Sequence, residues 1–135
     1  MRDISPPPSR PGRPPLVYAC SGSSNVAQLA NAIAVRLDRS GLAEMSCIAG
    51  VGGNVGALVR TATSGRTIVA IDGCPLACCE RSLASRGVVP DRLVRLHERG
   101  LKKRQHVDFS PAEQDEEFAR LLVELEPLLC ARGAA

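Results

Sequence analysis

Cysteine is the residue whose number and spacing most clearly indicate chemistry in this chain of 135 residues. Six cysteines are present, and three of them, Cys20, Cys47 and Cys74, lie at equal intervals along the sequence. A fourth, Cys78, follows Cys74 at a spacing of about one helical turn. Deprotonated thiols bind soft metal ions and attack electrophiles. The pattern therefore indicates either a metal site or a thiol enzyme.

The interval between these cysteines matches a structural repeat. One strand with its crossover helix needs about 30 residues, and Cys20, Cys47 and Cys74 each end or closely follow a segment that predicts a strand. Parallel strands end at the same edge of a sheet, where ligands bind. Cys78 lies on a helix predicted to begin at Pro75, so it would share a helix face with Cys74. The four sulfurs are therefore predicted to cluster at the carboxyl edge of a sheet.

The segments around the cysteines predict an α/β fold. They alternate in the order β-α-β-α-β-α-β-α, which is typical of a parallel sheet with right-handed crossovers. We expect a single three-layer domain, in which a mostly parallel sheet of about four strands has helices on both faces. Strands are predicted at 16–20, 44–48, 68–72 and 91–96, with a short one at 106–109, and helices at 25–39, 55–63, 75–86 and 111–130. A glycine-rich turn is expected at 49–54 and a solvated basic loop at 99–105.

The limits of the domain follow from local composition. Residues 1–15 contain six of the ten prolines and almost nothing apolar, which predicts a disordered N-terminal tail. The α/β domain is expected over 16–130, with a flexible C-terminus at 131–135.

Charge and composition exclude several classes of partner. The formal net charge of +3 is mild, the arginines are scattered, and aromatic residues make up only 2% of the chain, which argues against a nucleic-acid surface. No apolar segment approaches the roughly 18 residues of a membrane span, and the N-terminus lacks the apolar segment of a signal peptide. We therefore expect a cytoplasmic protein without nucleic-acid or membrane partners, whose reduced cysteines are available to a metal ion.

Three sequence motifs carry a resemblance to a known family. They lie at 18–22, at 45–52 and, above all, at 71–78, which reads Ile-Asp-Gly-Cys-Pro-Leu-Ala-Cys. From residue 16 to about residue 98 the chain resembles the DGC-domain proteins, small proteins named for the Asp-Gly-Cys motif and expected to bind zinc. The resemblance implies one Zn²⁺ held by four chelating residues: Cys20, Cys47, Cys74 and Cys78. It implies no substrate and no settled biochemical role.

The identity of the metal stays open at the level of sequence. Four thiolates are the usual donor set of a structural zinc site, but another thiophilic metal or an iron–sulfur cluster would use the same residues. The ion would either fasten three loops together or be sensed and handled by the protein. The alternative for any single cysteine is burial as a small apolar side chain. Burial is the expected role of Cys130, and packing or an accessory thiol that of Cys79.

A thiol enzyme is the alternative function. The loop after Cys20 resembles a phosphate-binding loop, but a phosphatase needs arginine six positions after its cysteine, and Val26 occupies that position. Cys74 and Cys78 instead form a candidate dithiol pair for a redox enzyme. The sequence does not decide whether the protein catalyses a reaction.

Three other polar residues are given simpler roles. Asp72 ends the central strand and is expected to cap the following turn rather than to orient a ligand. His97 follows the fourth strand and is a weak fifth ligand candidate, while both His97 and His106 are expected at the surface.

Overall fold

The computed structural model describes residues 13–129. Most of the predicted tail at 1–15, together with Cys130 and 131–135, lies outside the described residues. The elements are β1 (Leu16–Ala19), α1 (Asn25–Arg39), β2 (Glu44–Met45), α2 (Ile48–Gly52), α3 (Gly56–Ala62), β3 (Ile68–Asp72), α4 (Cys78–Ala84), β4 (Arg92–Arg95) and α5 (Pro111–Leu125), with a 3₁₀ turn at Leu96–Arg99. Between residues 13 and 129, no helix combines the length and apolar character that crossing a bilayer requires.

The four strands form one parallel sheet in the order β2-β1-β3-β4. The two central strands pair from Leu16 with Ile68 to Ala19 with Ile71. Every residue of β1 and β3 is buried, as expected for strands that are covered on both faces. The α/β class and the mostly parallel sheet predicted from the sequence are confirmed.

Helices cover both faces of this sheet. The connection from β1 to β2 runs in one direction along the sheet, and the connections from β2 to β3 and from β3 to β4 run in the opposite direction. Because crossovers are right-handed, α1 lies on one face of the sheet and α2, α3 and α4 lie on the other. In agreement, α5 packs against α1, and α2 packs against both α3 and α4. The predicted three-layer arrangement is therefore confirmed.

The core between these layers is aliphatic. Leu29, Ile33 and Leu37 recur along one face of α1 and are fully buried, as are Leu121 and Leu125 of α5. Burial of each such side chain contributes about 1.5–3 kcal/mol to the free energy of folding. This face fixes α1, and with it the loop that follows β1, against the carboxyl ends of the central strands.

The two long helices begin where the sequence predicts. The Ser24 hydroxyl caps α1 by accepting a hydrogen bond from the Ala27 N–H at 3.1 Å. At the start of α5, Ser110 and Glu113 form a capping box, with side chain-to-backbone distances of 3.1 and 2.7 Å. Each cap fixes the residue at which its helix begins, independently of how the helix packs against the rest of the protein.

The turn predicted at 49–54 is correct only at residues 53–54, because α2 occupies Ile48–Gly52 and β2 has only two residues. Gly50 serves close packing rather than a turn. A Cβ atom on Gly50 would lie 2.0 Å from Cδ1 of Leu58 in α3. A short helix with this composition is therefore stabilised by its contact with α3, which a local reading of the sequence does not reveal.

The strand predicted at 106–109 is also wrong. His106 has a φ of 61°, a left-handed conformation that interrupts an extended segment. The only strand-like pairing described in this region is a single antiparallel bridge between Gln105 and Ser24, at the start of α1.

Candidate functional site

The order of the strands creates a crevice between β1 and β3. The connection after β1 leads away towards β2, and the connection after β3 leads in the opposite direction towards β4. Ligands bind at such switch points, outside the carboxyl ends of the strands. A cavity of about 190 Å³ lies here. Its lining combines three cysteines with mostly small or polar side chains: Cys20, Ser21, Gly22, Ser23, Ser24, Ala27, Asp72, Cys74, Leu76, Cys78, Lys103 and Gln105.

Cys20 is the innermost of the three cavity cysteines. It follows β1 directly and is only 7% exposed. Its sulfur accepts a hydrogen bond from the Gly73 backbone N–H, at an N–S distance of 3.2 Å. Burial raises the pKa of the Cys20 thiol to about 11, and the Gly73 N–H acts in the opposite direction. Cys20 is therefore a protonated thiol at neutral pH. It would lose its proton only if a cation or metal ion compensated the negative charge of the thiolate.

Gly73 is required for the close approach of the two loops. A Cβ atom at this position would lie 2.6 Å from both the carbonyl carbon and the oxygen of Val26, and 2.8 Å from the Ala27 nitrogen. These are backbone atoms of the first turn of α1, so no side-chain rotation would relieve the contact. The glycine of the Asp-Gly-Cys motif thus allows the turn after β3 to sit against α1.

Asp72 fixes the start of α4 from within the protein. Its carboxylate is only 1% exposed and accepts hydrogen bonds from the backbone N–H groups of Cys79 and Glu80, at 2.8 and 3.0 Å. Burial raises the pKa of Asp72, while these two hydrogen bonds oppose that shift. The capping role predicted for Asp72 is therefore confirmed, although it acts on a helix that begins later than expected.

The helix predicted to begin at Pro75 begins instead at Cys78, which corrects the expected relation between the two cysteines of the motif. Ala77 has φ 54° and ψ 46°, a left-handed conformation that costs a residue with a side chain about 1–2 kcal/mol. Cys74 and Cys78 therefore flank a turn and do not share a helix face. Both still line the cavity, with Cys74 half-buried and Cys78 exposed.

Cys47 is the predicted ligand that the structure does not bring to the cavity. It follows the short edge strand β2, precedes the first residue of α2, and is exposed. It is absent from the described lining because β2 lies on the far side of β1 from β3. The structure therefore gathers three of the four predicted cysteines, Cys20, Cys74 and Cys78, around one cavity.

The residue types around the cavity fit a metal ion, but the positions of their side chains do not form a ready site. Three thiols around a single cavity are the donor type that zinc and other thiophilic metals select. Within residues 13–129, however, no three His, Cys, Asp or Glu side chains are arranged as a group able to hold an ion. The residue types therefore fit a thiophilic metal, but the side chains would have to change position to hold one.

The remaining candidates lie away from the cavity. Cys79 is the second residue of α4 and is fully buried, and burial raises the pKa of its thiol far above the ordinary value. It serves as a core residue, which is one of the two roles expected for it. His97 is half-buried, with its Nε2 atom 3.8 Å from a Glu98 carboxylate oxygen, whereas His106 is exposed. Neither histidine is part of the described cavity lining.

Sequence reasoning missed the segment that completes the cavity. This segment, residues 101–106, is named the strap below. All of it except His106 falls in the solvated loop predicted at 99–105, but the strap is bound to the start of α1. The Asn25 side chain donates to the Lys102 carbonyl at 3.0 Å and accepts from the Arg104 N–H at 2.7 Å. Between these anchors, the Lys103 ammonium lies 3.5 Å from the Cys74 sulfur. No local sequence signal indicates this contact, because the partners are far apart along the chain.

The fold and the site define a class of protein: a small α/β domain with a cysteine-lined cavity at the switch point of a parallel sheet. A model of the DGC domain matches residues 16–121, and the chain belongs to the DGC-domain family.

One relative shares most of this chain. The protein named anaerobic and virulence modulator AnvM, from Pseudomonas aeruginosa, is 62% identical over 119 residues, which is 88% of this chain and 88% of the relative. No solved structure matches the chain.

Proposed function

We propose that this protein binds one thiophilic metal ion, with zinc as the expected metal, at the carboxyl edge of its sheet. The observation that carries the proposal is the convergence of Cys20, Cys74 and Cys78 on a single cavity at the switch point between β1 and β3. Three separate chain segments would be joined by such an ion. Zinc supplies no redox chemistry and would act there through its affinity for thiolates.

Cys47 is the proposed fourth ligand, as the resemblance implies. Cys47 follows the edge strand β2, whereas the other three cysteines lie beyond the ends of the central strands β1 and β3. For Cys47 to reach the cavity, the segment between β2 and α2 would have to rearrange. Cys47 is exposed and lies between β2 and α2 rather than within either element, which leaves it room to move. A site in which one ligand must move to complete the coordination suits metal sensing or handling better than a purely structural role.

The relative supports a regulatory use of this site. It is named as a modulator of anaerobic behaviour and virulence. Thiols and thiolate–metal sites are sensitive to oxidation, so a cysteine site is a suitable detector of the change between aerobic and anaerobic conditions. We propose a metal-sensing or metal-handling role in the cytoplasm, with no catalytic step assigned.

Elemental analysis tests the metal directly. Protein purified without added metal, under reducing conditions, is expected to carry close to one zinc ion per chain. The Cys20→Ser and Cys74→Ser variants are expected to lose it. Protein that contains no metal, and takes up none when titrated with Zn²⁺ or Co²⁺, would contradict the proposal.

A dithiol redox function is the second candidate. It is favoured by the turn at 74–77, because the segment between Cys74 and Cys78 is not constrained as a helix. In this reaction one thiolate attacks a disulfide oxidant and displaces a thiol, and the second thiolate then displaces the other thiol. The protein becomes a disulfide, losing two electrons and two protons, and the oxidant is reduced to two thiols.

Mass spectrometry distinguishes this candidate from metal binding. Metal-free protein incubated with oxidised glutathione would lose the mass of two hydrogen atoms and gain a Cys74–Cys78 cross-linked peptide if the dithiol function is correct. Only glutathione adducts, or no reaction, would exclude it. The zinc content of untreated protein is measured separately, so each function can fail alone.

A further inference from the structure

The strap is held on the cavity by backbone and side-chain hydrogen bonds. In addition to the two bonds of the Asn25 side chain, the Asn25 N–H donates to the Arg104 carbonyl at 3.0 Å. The His106 N–H donates to the Ser23 carbonyl at 3.2 Å, and the Ser23 hydroxyl donates to the Gln105 side chain at 2.6 Å. Asn25 is only 8% exposed, so its two side-chain bonds are protected from water. The strap is therefore a fixed wall of the cavity.

This wall contributes a positively charged side chain to the cavity. Lys103 is half-buried, and its ammonium lies 3.5 Å from the Cys74 sulfur. The one acidic side chain in the described lining is Asp72, whose two carboxylate oxygens each accept a hydrogen bond from the backbone of α4. Lys103 has no described carboxylate partner and faces the sulfur instead. Its charge is therefore available to whatever approaches Cys74.

We propose that the strap uses Lys103 to make this cavity selective for small anionic ligands that engage the Cys74 sulfur. The class comprises molecules with a negative charge next to a thiol-reactive carbon. The inference deepens the function proposed above, because it concerns the ligands that reach the same cavity. Lys103 acts in it as a specificity-determining residue.

A pair of alkylating reagents tests this selectivity without any metal. Iodoacetate is anionic and iodoacetamide is neutral, and both form an S–C bond to a thiolate sulfur while the C–I bond breaks and iodide leaves. Both reagents react only with the thiolate. The ratio of their two rates at one sulfur therefore does not depend on the fraction of that sulfur present as thiolate. Reduced, metal-free protein is treated with each reagent, and the modification of individual cysteines is followed by peptide fragmentation. Exposed Cys47, outside the cavity, is the internal reference.

Removal of the Lys103 charge has a defined expected result. In Lys103→Ala the iodoacetate-to-iodoacetamide ratio at Cys74 falls about fivefold, the effect of one unit charge at this range in a largely hydrated site. Lys103→Arg keeps the ratio, and so does Lys102→Ala, which removes an exposed neighbouring charge from the same strap. The ratio at Cys47 is the same in all variants. An unchanged ratio at Cys74 in Lys103→Ala would overturn the proposal.

A second variant tests the strap itself. Asn25→Ala removes both side-chain anchors, and a circular dichroism spectrum shows whether the domain stays folded. In folded Asn25→Ala the ratio at Cys74 is expected to fall towards that of Lys103→Ala, because Lys103 is no longer held at the sulfur. A wild-type ratio in this variant would contradict the role of the strap. Zinc content is measured on separate samples, so failure of the selectivity leaves the metal proposal unaffected.

Discussion

The Gly73 backbone N–H donates a hydrogen bond to the Cys20 sulfur across the ends of the two central strands, with an N–S distance of 3.2 Å. Cys20 is the first residue after β1, and Gly73 is the first residue after β3. The bond therefore ties the first cysteine of the cavity to the turn that carries the next two. It exists because a glycine lets this turn approach the backbone of α1.

Gly73→Ala is expected to separate these two loops. The new Cβ atom would lie 2.6 Å from the Val26 backbone, and the resulting shift costs about 1–3 kcal/mol of the free energy of unfolding. Urea denaturation measures that loss. Gly56→Ala is the matched control, since the nearest atom is the flexible end of the Arg60 side chain, and it is expected to be close to neutral. Equal stability of Gly73→Ala and wild type would show that the close approach is not needed.

A series of cysteine-to-serine variants separates ligands from packing residues. Replacement of Cys20, Cys74 or Cys78 is expected to abolish zinc binding, because each sulfur lines the cavity. Replacement of Cys47 is expected to weaken binding while leaving a measurable affinity, because the other three sulfurs remain. Cys130→Ser serves as the control and retains full zinc content. Titration with Co²⁺, whose visible spectrum reports the number of sulfur ligands, measures each case, and full retention in Cys74→Ser would remove Cys74 from the ligand set.

Asp72→Asn is expected to loosen the start of α4. An amide offers one acceptor oxygen in place of two, so the N–H of Cys79 or of Glu80 loses its partner, at a cost of about 1–3 kcal/mol. Because Cys78 is the first residue of this helix, zinc affinity is expected to fall as well. Asp91→Asn is the matched control, since Asp91 accepts the Ile68 N–H at 2.7 Å at the opposite end of β3. Unfolding and zinc titrations that give identical results for the two variants would contradict a role for Asp72 at the site.

An ion-pair network at the surface of α5 predicts the response to acid. Hydrogen bonding to Arg99 holds the pKa of Glu124 below its ordinary value. A carboxylate with a lowered pKa in the folded state stabilises the fold above its unfolded pKa, and the effect disappears as the pH falls through the lower value. Thermal unfolding followed from neutral pH to pH ~3 is therefore expected to show a loss of stability on acidification.

Removal of the arginine tests the same network. Arg99 also contacts Glu117, whose side chain is only 3% exposed and retains Arg120 as its other described partner. Arg99→Gln is expected to destabilise the protein at neutral pH by about 3 kcal/mol, because the buried Glu117 carboxylate loses one of its two described ionic partners. The variant should also lose less stability on acidification than wild type. A steeper loss in the variant would show that Glu124 does not depend on Arg99.

The placement of Cys20 and Cys74 at one edge of the sheet was predictable, because it follows from where the strands end. A buried apolar segment followed by a turn residue fixes both the end of the strand and the sheet edge to which Cys20 and Cys74 belong. The starts of α1 and α5, which are set by a serine cap and a capping box, are equally local and were predicted correctly. The strand order was not readable, and it decides that Cys47 follows an edge strand while the other cysteines surround the crevice.

The other errors have a common physical origin in contacts between distant segments. The start of α4 depends on the Asp72 carboxylate and on the left-handed conformation of Ala77, which alanine adopts only when its surroundings enforce it. The strap depends on Asn25, which resembles any other polar residue at the start of a helix until its partners at 102 and 104 are known. Spacing and periodicity carry no information about such pairs.

The distance along the chain between Asn25 and the strap has a consequence for synthesis on the ribosome. The three cavity cysteines have all been translated once synthesis has reached residue 78. The backbone partners of Asn25, at residues 102 and 104, are made later. During that interval the nascent chain exposes its thiols without the wall that carries Lys103. The strap and the Lys103 charge are therefore added to the cavity late in biosynthesis, after the central strands have already been made.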